Sequence, residues 1–310
     1  MRNKPSKKRV VKYPIAFDSL GKELVDLSHI TEKNRDFVVC PECSSRFVAV
    51  INHQTPHFKH YGDRECSGAF ESYIHKVVKE MFKTITEIEL PELLIKDLPE
   101  EHLRNFLQMQ YGLLDSNIPL NQQREFTIGL KKNLTEVKKV KIDNVEIERT
   151  IKTPKGDIRV DVVAHLRNKM LFIEPYYSNA IKDDKKEKIK TTNIPTLSIS
   201  LMEFIRFTKF KFNLSDLKEW LLIDNSKNWV YLNDGSYKKH INSYKKYLWS
   251  EIQKHKRRII LNEISILKKE NVERENDLED LKKKFKAVKA EISDALKQID
   301  RLGKDLEDLK

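Results

Sequence analysis

Two acids stand inside runs that are otherwise apolar and β-branched. Asp161 lies in Ile-Arg-Val-Asp-Val-Val-Ala-His-Leu (158–166), and Glu174 in Met-Leu-Phe-Ile-Glu-Pro (170–175). An ionised carboxylate in a half-buried strand costs free energy unless a cation sits beside it. The two runs read as strands joined by a short polar turn around Asn168-Lys169. Side chains alternate along a strand, so a two- or four-residue connection puts both acids on one face. Two carboxylates converging across a hairpin form a site for a hard divalent cation such as Mg²⁺. The competing reading is a pair of edge-strand acids meeting solvent, or salt-bridged to Arg159 and Lys169.

Cys40, Cys43 and Cys66 are the second chemical cluster and the only cysteines in the chain. Cys40-Pro-Glu-Cys43 is a turn that aims two thiolates at one point. A strand pair spanning Phe47–Ile51 and His57–His60 can return a histidine to them. The most economical ligand set is Cys40, Cys43, His60 and Cys66, with His57 and His53 as alternatives for the histidine. Three cysteines and one histidine leave no open position, which predicts a structural zinc that folds a small ribbon. No βαβ pattern surrounds the CxxC turn, which argues against a redox role. So few cysteines argue against a disulfide framework and point to a cytoplasmic protein.

The elements that must position these groups follow from periodicity. Residues 69–82 carry apolar side chains at Phe70, Ile74, Val77, Val78, Met81 and Phe82, the spacing of a helix with one buried stripe. Glu71, His75 and Lys79 form an ionisable row along its flank, either a solvated face or one lining an active site. Residues 85–140 read as helices and loops. The strand Val145–Glu148 precedes the hairpin, and Glu148 either points into the same cleft or is an ordinary edge charge. Ser178 is placed to cap a lysine-rich helix at 180–191. Asn193-Ile-Pro195 breaks that helix before the strand Thr196–Ser200. The order helix, three strands, helix, strand predicts an α/β unit with a mixed sheet.

The chain has 310 residues, 34% of them charged and 39% hydrophobic, with a net charge of +12. That balance favours an anionic partner, nucleic acid first among them. No run approaches the roughly 18 apolar residues of a membrane helix, and no apolar segment follows the basic N-terminus to make a secretory signal. Residues 203–250 are rich in aromatics and lysines, which suits a small closing core more than a base-stacking surface. Beyond about residue 250 the apolar positions Ile260, Ile264, Leu267, Leu278, Leu281, Phe285, Val288, Ile292, Ala295, Ile299, Leu302, Leu306 and Leu309 mark a heptad seam. Asn271 and Arg274 are its polar members. The seam predicts a coiled coil formed with a second copy or with another protein.

Taken in order, Cys40-x₂-Cys43, His57-Phe-x-His60, Cys66, Glu71-Ser-x₂-His75-Lys76, Glu148, Arg159-x-Asp161-Val and Ile173-Glu174-x-Tyr-x-Ser178 resemble the competence CoiA-like family over residues 35–202. The resemblance implies a zinc-ribbon-like segment followed by a restriction-endonuclease-like, PD-(D/E)XK nuclease core. It implies that Asp161 and Glu174 hold a catalytic Mg²⁺ or Mn²⁺, with Glu71 as the acid of the first core helix and His75 lining the cleft. Tyr176 stands at the last motif position, where the fold carries Lys and this family often Gln. Pro175 lies inside the metal-site strand. Lys182, Lys185 or Lys188 on the next helix can supply the missing charge. His75, Lys79 and Lys188 are the residues expected to meet nucleic acid. The expected division is a basic N-terminus and zinc module (1–66), a nuclease-like core (67–202), an aromatic closing segment (203–250) and a coiled coil (251–310). The function expected is metal-dependent DNA hydrolysis. The alternatives are a catalytically inactive nucleic-acid-binding or adaptor protein on a degenerate core, and a purely structural interaction protein.

Overall fold

The computed structural model describes residues 13–62, 66, 70–223 and 227–307. The basic start of the chain, Ala69 and Leu309 lie outside these residues. In chain order the elements are β1 (Ile15–Asp18), β2 (Leu24–Asp26), β3 (Val38–Val39), β4 (Arg46–Val50), β5 (His57–His60), α1 (Phe70–Phe82), β6 (Glu87–Leu90), α2 (Glu100–Asp115), α3 (Leu120–Ile128), β7 (Lys138–Lys141) and β8 (Asn144–Ile151). Then follow β9 (Ile158–Leu166), β10 (Lys169–Tyr176), α4 (Asp183–Thr192), β11 (Thr196–Ser200), α5 (Leu201–Thr208), α6 (Leu214–Leu222), β12 (Lys227–Tyr231) and α7 (Asp234–Glu307). The class is mixed α/β. The chain forms two compact units: residues up to Gln110 with Thr127–Lys245, and Tyr111–Phe126 with the residues from Lys246 onward.

The first unit contains two five-stranded sheets and the β6–β7 ribbon. The N-terminal sheet has the order β2-β1-β3-β4-β5 and is antiparallel throughout. The second has the order β12-β11-β10-β9-β8, with one parallel pair, β10 with β11. That pair follows from chain economy: α4 lies between β10 and β11 in sequence, and a helical crossover is what returns a strand parallel to its predecessor. One core runs from Tyr13, Ile15, Phe47 and Phe58 through Tyr73, Ile74 and Val77 of α1 to Val162, Leu171 and Ile173 of the second sheet. Tyr73 fixes the join. Its hydroxyl donates to the Ile15 carbonyl at 2.7 Å and accepts from the Ile15 amide at 2.9 Å. The opposite face of the second sheet, with Ile158, Val160, Val163 and Phe172, is covered by Ile189 of α4.

Several boundaries differ from the sequence expectation. The hairpin turn is Arg167-Asn168, one residue earlier than expected, and the Leu166–Lys169 pair closes it. Arg167 takes a φ of 55°, as a two-residue hairpin requires. The helix expected at 180–191 spans 183–192, and its cap position is Lys182 rather than Ser178, whose hydroxyl is committed elsewhere. The stretch 85–140 holds a strand at each end as well as α2 and α3. Of the aromatics of 203–250, Phe204 and Phe212 pack on each other within the main core, and Tyr244 packs on Phe106 of α2.

In the second unit, α7 continues as one uninterrupted helix to Glu307, having begun well before residue 251. Its seam residues from Ile260 to Ile292 are exposed. Ile299, Leu302 and Leu306 lie outside the described side chains. Among the described residues no helix is long and apolar enough to cross a membrane.

Candidate functional site

The four sulfur and nitrogen ligands come together as a set. One ligand atom from each of Cys40, Cys43, His60 and Cys66 lies within 4.8 Å of the others. The turn is made by Ser44, at φ 57°, whose amide donates to the Cys40 carbonyl at 2.9 Å. The β4–β5 register brings His60 opposite Phe47, and its Nε2 lies 3.3 Å from Cys43 Sγ. Desolvation opposes ionisation of Cys43, but hydrogen bonds from Ser45, His60 and Cys40 overcome it and bring the thiol down to about 6. Burial pushes the Cys40 thiol up. Three cysteine sulfurs and one imidazole nitrogen converging in this way can hold a metal such as zinc. His57 and His53 both turn to the Thr55 carbonyl instead, at 2.8 and 3.0 Å. Cys66 lies four residues before α1, so a metal here ties the turn, the end of β5 and the approach to that helix together.

The acids form a row across three adjacent strands. The β9–β10 register runs from Lys169–Leu166 to Ile173–Val162, and one step further sets Glu174 opposite Asp161. On the other side, the β8–β9 ladder has Ile147 opposite Val162 and Arg149 opposite Val160, which sets Glu148 opposite Asp161. Glu148 takes a φ of 55°, a local break in β8 beside the row. Pro175 explains why β9 and β10 part here. It lacks the amide a further antiparallel bond needs, while the parallel ladder with β11 continues through Pro175–Ile199 to Tyr176–Ser200. Asp161 and Glu174 therefore sit at a fork between two strands.

A lysine reaches this row from a helix on each face. Lys79 of α1, its side chain 14% exposed, places Nζ 2.8 Å from Asp161 Oδ1 and 2.8 Å from Glu148 Oε1. Burial works against its charge, but the two carboxylates hold its pKa above the usual lysine value. The same contact, with a further ion pair from Arg159, lowers Glu148. Lys185 of α4 places Nζ 2.6 Å from Glu174 Oε2. Glu174 is 3% exposed and its other oxygen, Oε1, finds no hydrogen-bond donor. Burial raises Glu174 to about 7; Lys185 opposes that rise, and the Asp161 charge adds to it. A buried carboxylate oxygen without a donor, facing a second carboxylate, suits a hard cation coordinated by oxygen.

Glu71 and His75 lie along the same helix. Ser178 donates to Glu71 Oε2 at 2.8 Å, and His75 Nε2 lies 4.0 Å from Glu71 Oε1. Burial lowers His75, although Asp161 opposes this, so its imidazole stays neutral at pH 7. Lys188 pairs with Asp184 at 3.0 Å, and its tip lies beside Gly156. Among the described residues, Tyr176 and Lys182 neither hydrogen-bond nor ion-pair with the three acids; Tyr176 is half-buried and Lys182 exposed. Of the expected site residues, Glu71, His75, Lys79, Asp161, Glu174 and Lys185 are linked into one neighbourhood. Glu148 belongs with them, and its signal was its place in the strand beside Asp161. Lys79 turns inward onto the acids, a role its spacing after Glu71 and His75 left open.

Two measurements check this electrostatic picture. Lys79→Met leaves Asp161 and Glu148 without their shared cation. It is expected to lower stability by about 3 kcal/mol in chemical denaturation, with part of that restored by added Mg²⁺. A variant as stable as the wild type contradicts the bridge. The folded-state pKa of Glu174 lies above its unfolded value near 4.5. Its contribution to stability is therefore intact below that pH and is lost as pH rises through about 7. With zinc bound and no other divalent ion, the melting temperature is expected to fall over that window. Glu174→Gln should flatten the fall, which is worth on the order of 3 kcal/mol.

Comparison with protein-family models, with curated proteins and with solved structures finds no match for this chain.

Proposed function

We propose that this chain is a metal-dependent nuclease that hydrolyses DNA phosphodiester bonds, with Asp161 and Glu174 as the ligands of a Mg²⁺ or Mn²⁺ ion. The observation that carries the reading is the fork: a buried Glu174 whose Oε1 has no donor, set opposite Asp161 where β9 and β10 part. The order α1, β8, β9, β10, α4, β11 agrees with a restriction-endonuclease-like core, and the Cys₃His cluster with the zinc-ribbon-like segment of the CoiA-like family. The net charge of +12 suits a polyanion.

A cation held at this pair supplies Lewis-acid stabilisation of phosphate charge and a bound water of lowered pKa. The chain's own groups do the rest. Lys185, held on Glu174, and Lys79, held on Asp161, put two positive charges beside the position of a scissile phosphate, in place of the motif lysine that Tyr176 replaces. Neutral His75 offers a ring nitrogen to orient a water. Glu71, itself fixed by Ser178, stands one helical turn away, 4.0 Å from that imidazole. The test is incubation of the zinc-loaded chain with single- and double-stranded DNA in Mg²⁺ or Mn²⁺. Cleavage that stops when the divalent ion is left out supports the reading.

Tyr176 favours a second reading, a nucleic-acid-binding protein on a core that has lost catalysis. Under it both lysines are structural counter-ions, and DNA is bound with steep salt dependence but not cut in any divalent ion.

A further inference from the structure

Along α7 the apolar side chains stand in the open: Ile264 is 42% exposed, Leu278 53%, Leu281 62% and Phe285 74%. They recur at alternating intervals of four and three. Ile264, Asn271, Leu278, Phe285 and Ile292 hold the first core position of successive heptads, and Leu267, Arg274, Leu281, Val288 and Ala295 the second. We propose that this seam is covered by a second copy of the same helix, lying parallel and in register. The proposal is independent of the nuclease reading.

Three observations select that occupant. The first is coverage. Parallel, in-register pairing sets every apolar position from Ile260 onward against its own counterpart. An antiparallel pair centred on Asn271 and Arg274 covers only Ile260–Phe285, and one centred between Leu281 and Phe285 spans the seam only by setting Asn271 against Ala295 and Arg274 against Ile292. The second is Asn271. An asparagine at the first core position pairs well with itself across a parallel two-stranded coil and poorly with an apolar layer, so it fixes both register and strand number.

The third is charge. Arg274 at a core position is costly alone, but Glu270 and Glu275 flank it. In register, the two copies set two arginines among four glutamates, which turns an otherwise repulsive Glu270–Glu275 contact into a neutralising one. On either side of this layer Glu263 meets Lys268 of the second copy, and Asp277 meets Lys282. Lys284 against Lys289 is the one like-charged contact left unrelieved. A self-complementary polar layer within an apolar seam is the mark of a helix that recognises itself.

The experiment uses the full zinc-loaded chain. Sedimentation is expected to give twice the 36.7 kDa chain mass. Ile264→Cys should form a disulfide-linked dimer under mild oxidation, while Ser265→Cys, on the outer face, should not. Arg274→Glu should weaken the dimer at least about tenfold, with helicity by circular dichroism kept. A monomeric mass at about 10 µM, a level well above the dissociation constant of a stable coil, overturns the proposal. So does cross-linking only when Ile264→Cys chains are mixed with Leu281→Cys or Leu302→Cys chains, the signatures of the two antiparallel registers. A monomer that pairs only with a different heptad-bearing protein overturns it as well.

Discussion

Replacing Asp161 or Glu174 by alanine is expected to lower divalent-dependent DNA cleavage by at least about a thousandfold while leaving the fold intact. The size of the effect follows from the fork. Asp161 and Glu174 are the two carboxylates at the fork itself, so the loss of either removes a carboxylate ligand that the cation would use. Glu148 is the nearest third acid, but Lys79 and Arg159 already hold it. The fold should survive. Glu174→Ala removes a carboxylate whose burial is itself unfavourable, and Asp161→Ala leaves Lys79 its bond to Glu148. Single-turnover cleavage alongside far-ultraviolet circular dichroism separates a lost site from a lost fold. Full activity in both variants contradicts the assignment.

Removing the metal from Cys40, Cys43, His60 and Cys66 is expected to unfold more than the N-terminal sheet. Cys40 and Cys43 lie on a tight turn rather than in a long strand, and a metal joining that turn to His60 and Cys66 couples its coordination to folding. Cys40, Phe47 and Phe58 share a core with Tyr73, Ile74 and Val77 of α1, the helix that carries Glu71, His75 and Lys79. Loss of the cluster therefore disturbs the site as well. Cys43→Ala, or extraction of zinc with a strong chelator, should cost at least about 4 kcal/mol, and calorimetry should show a broadened or missing transition. Zinc content measured on the purified chain checks the premise. An unchanged melt after complete zinc removal contradicts it.

Much of the site was legible because its residues violate local expectation. An acid in a β-branched run and a CxxC turn followed by a histidine strand are each expensive without a partner, and the partner is then inferable. Lys79 was visible as a member of a helical row but not as the bridge between Asp161 and Glu148. Which flank of α1 faces the sheet depends on how Tyr73 and Ile74 pack, a tertiary fact. Lys185 could be told apart from Lys182 and Lys188 only once the start of α4 was known. The helix begins at Asp183, not near Ser178, because Ser178 is drawn to Glu71 across a long stretch of chain. Pro175 reads in sequence as damage to a strand. In the fold it marks where one ladder ends and the other continues, and it is what opens the fork. The heptad of α7 needed no tertiary information, since its period is set along one helix.

The divalent-cation site proposed at Asp161 and Glu174 can be read out by Mn²⁺ binding followed by electron paramagnetic resonance. Zinc-loaded chain at pH 8, above the raised pKa of Glu174, is titrated beside Asp161→Asn and Glu174→Gln. A bound Mn²⁺ ion is expected in the wild type, held more weakly at pH 6 as Glu174 takes up its proton, and absent in both variants. Mn²⁺ binding of equal strength in all three proteins, or none in the wild type, contradicts the proposed site.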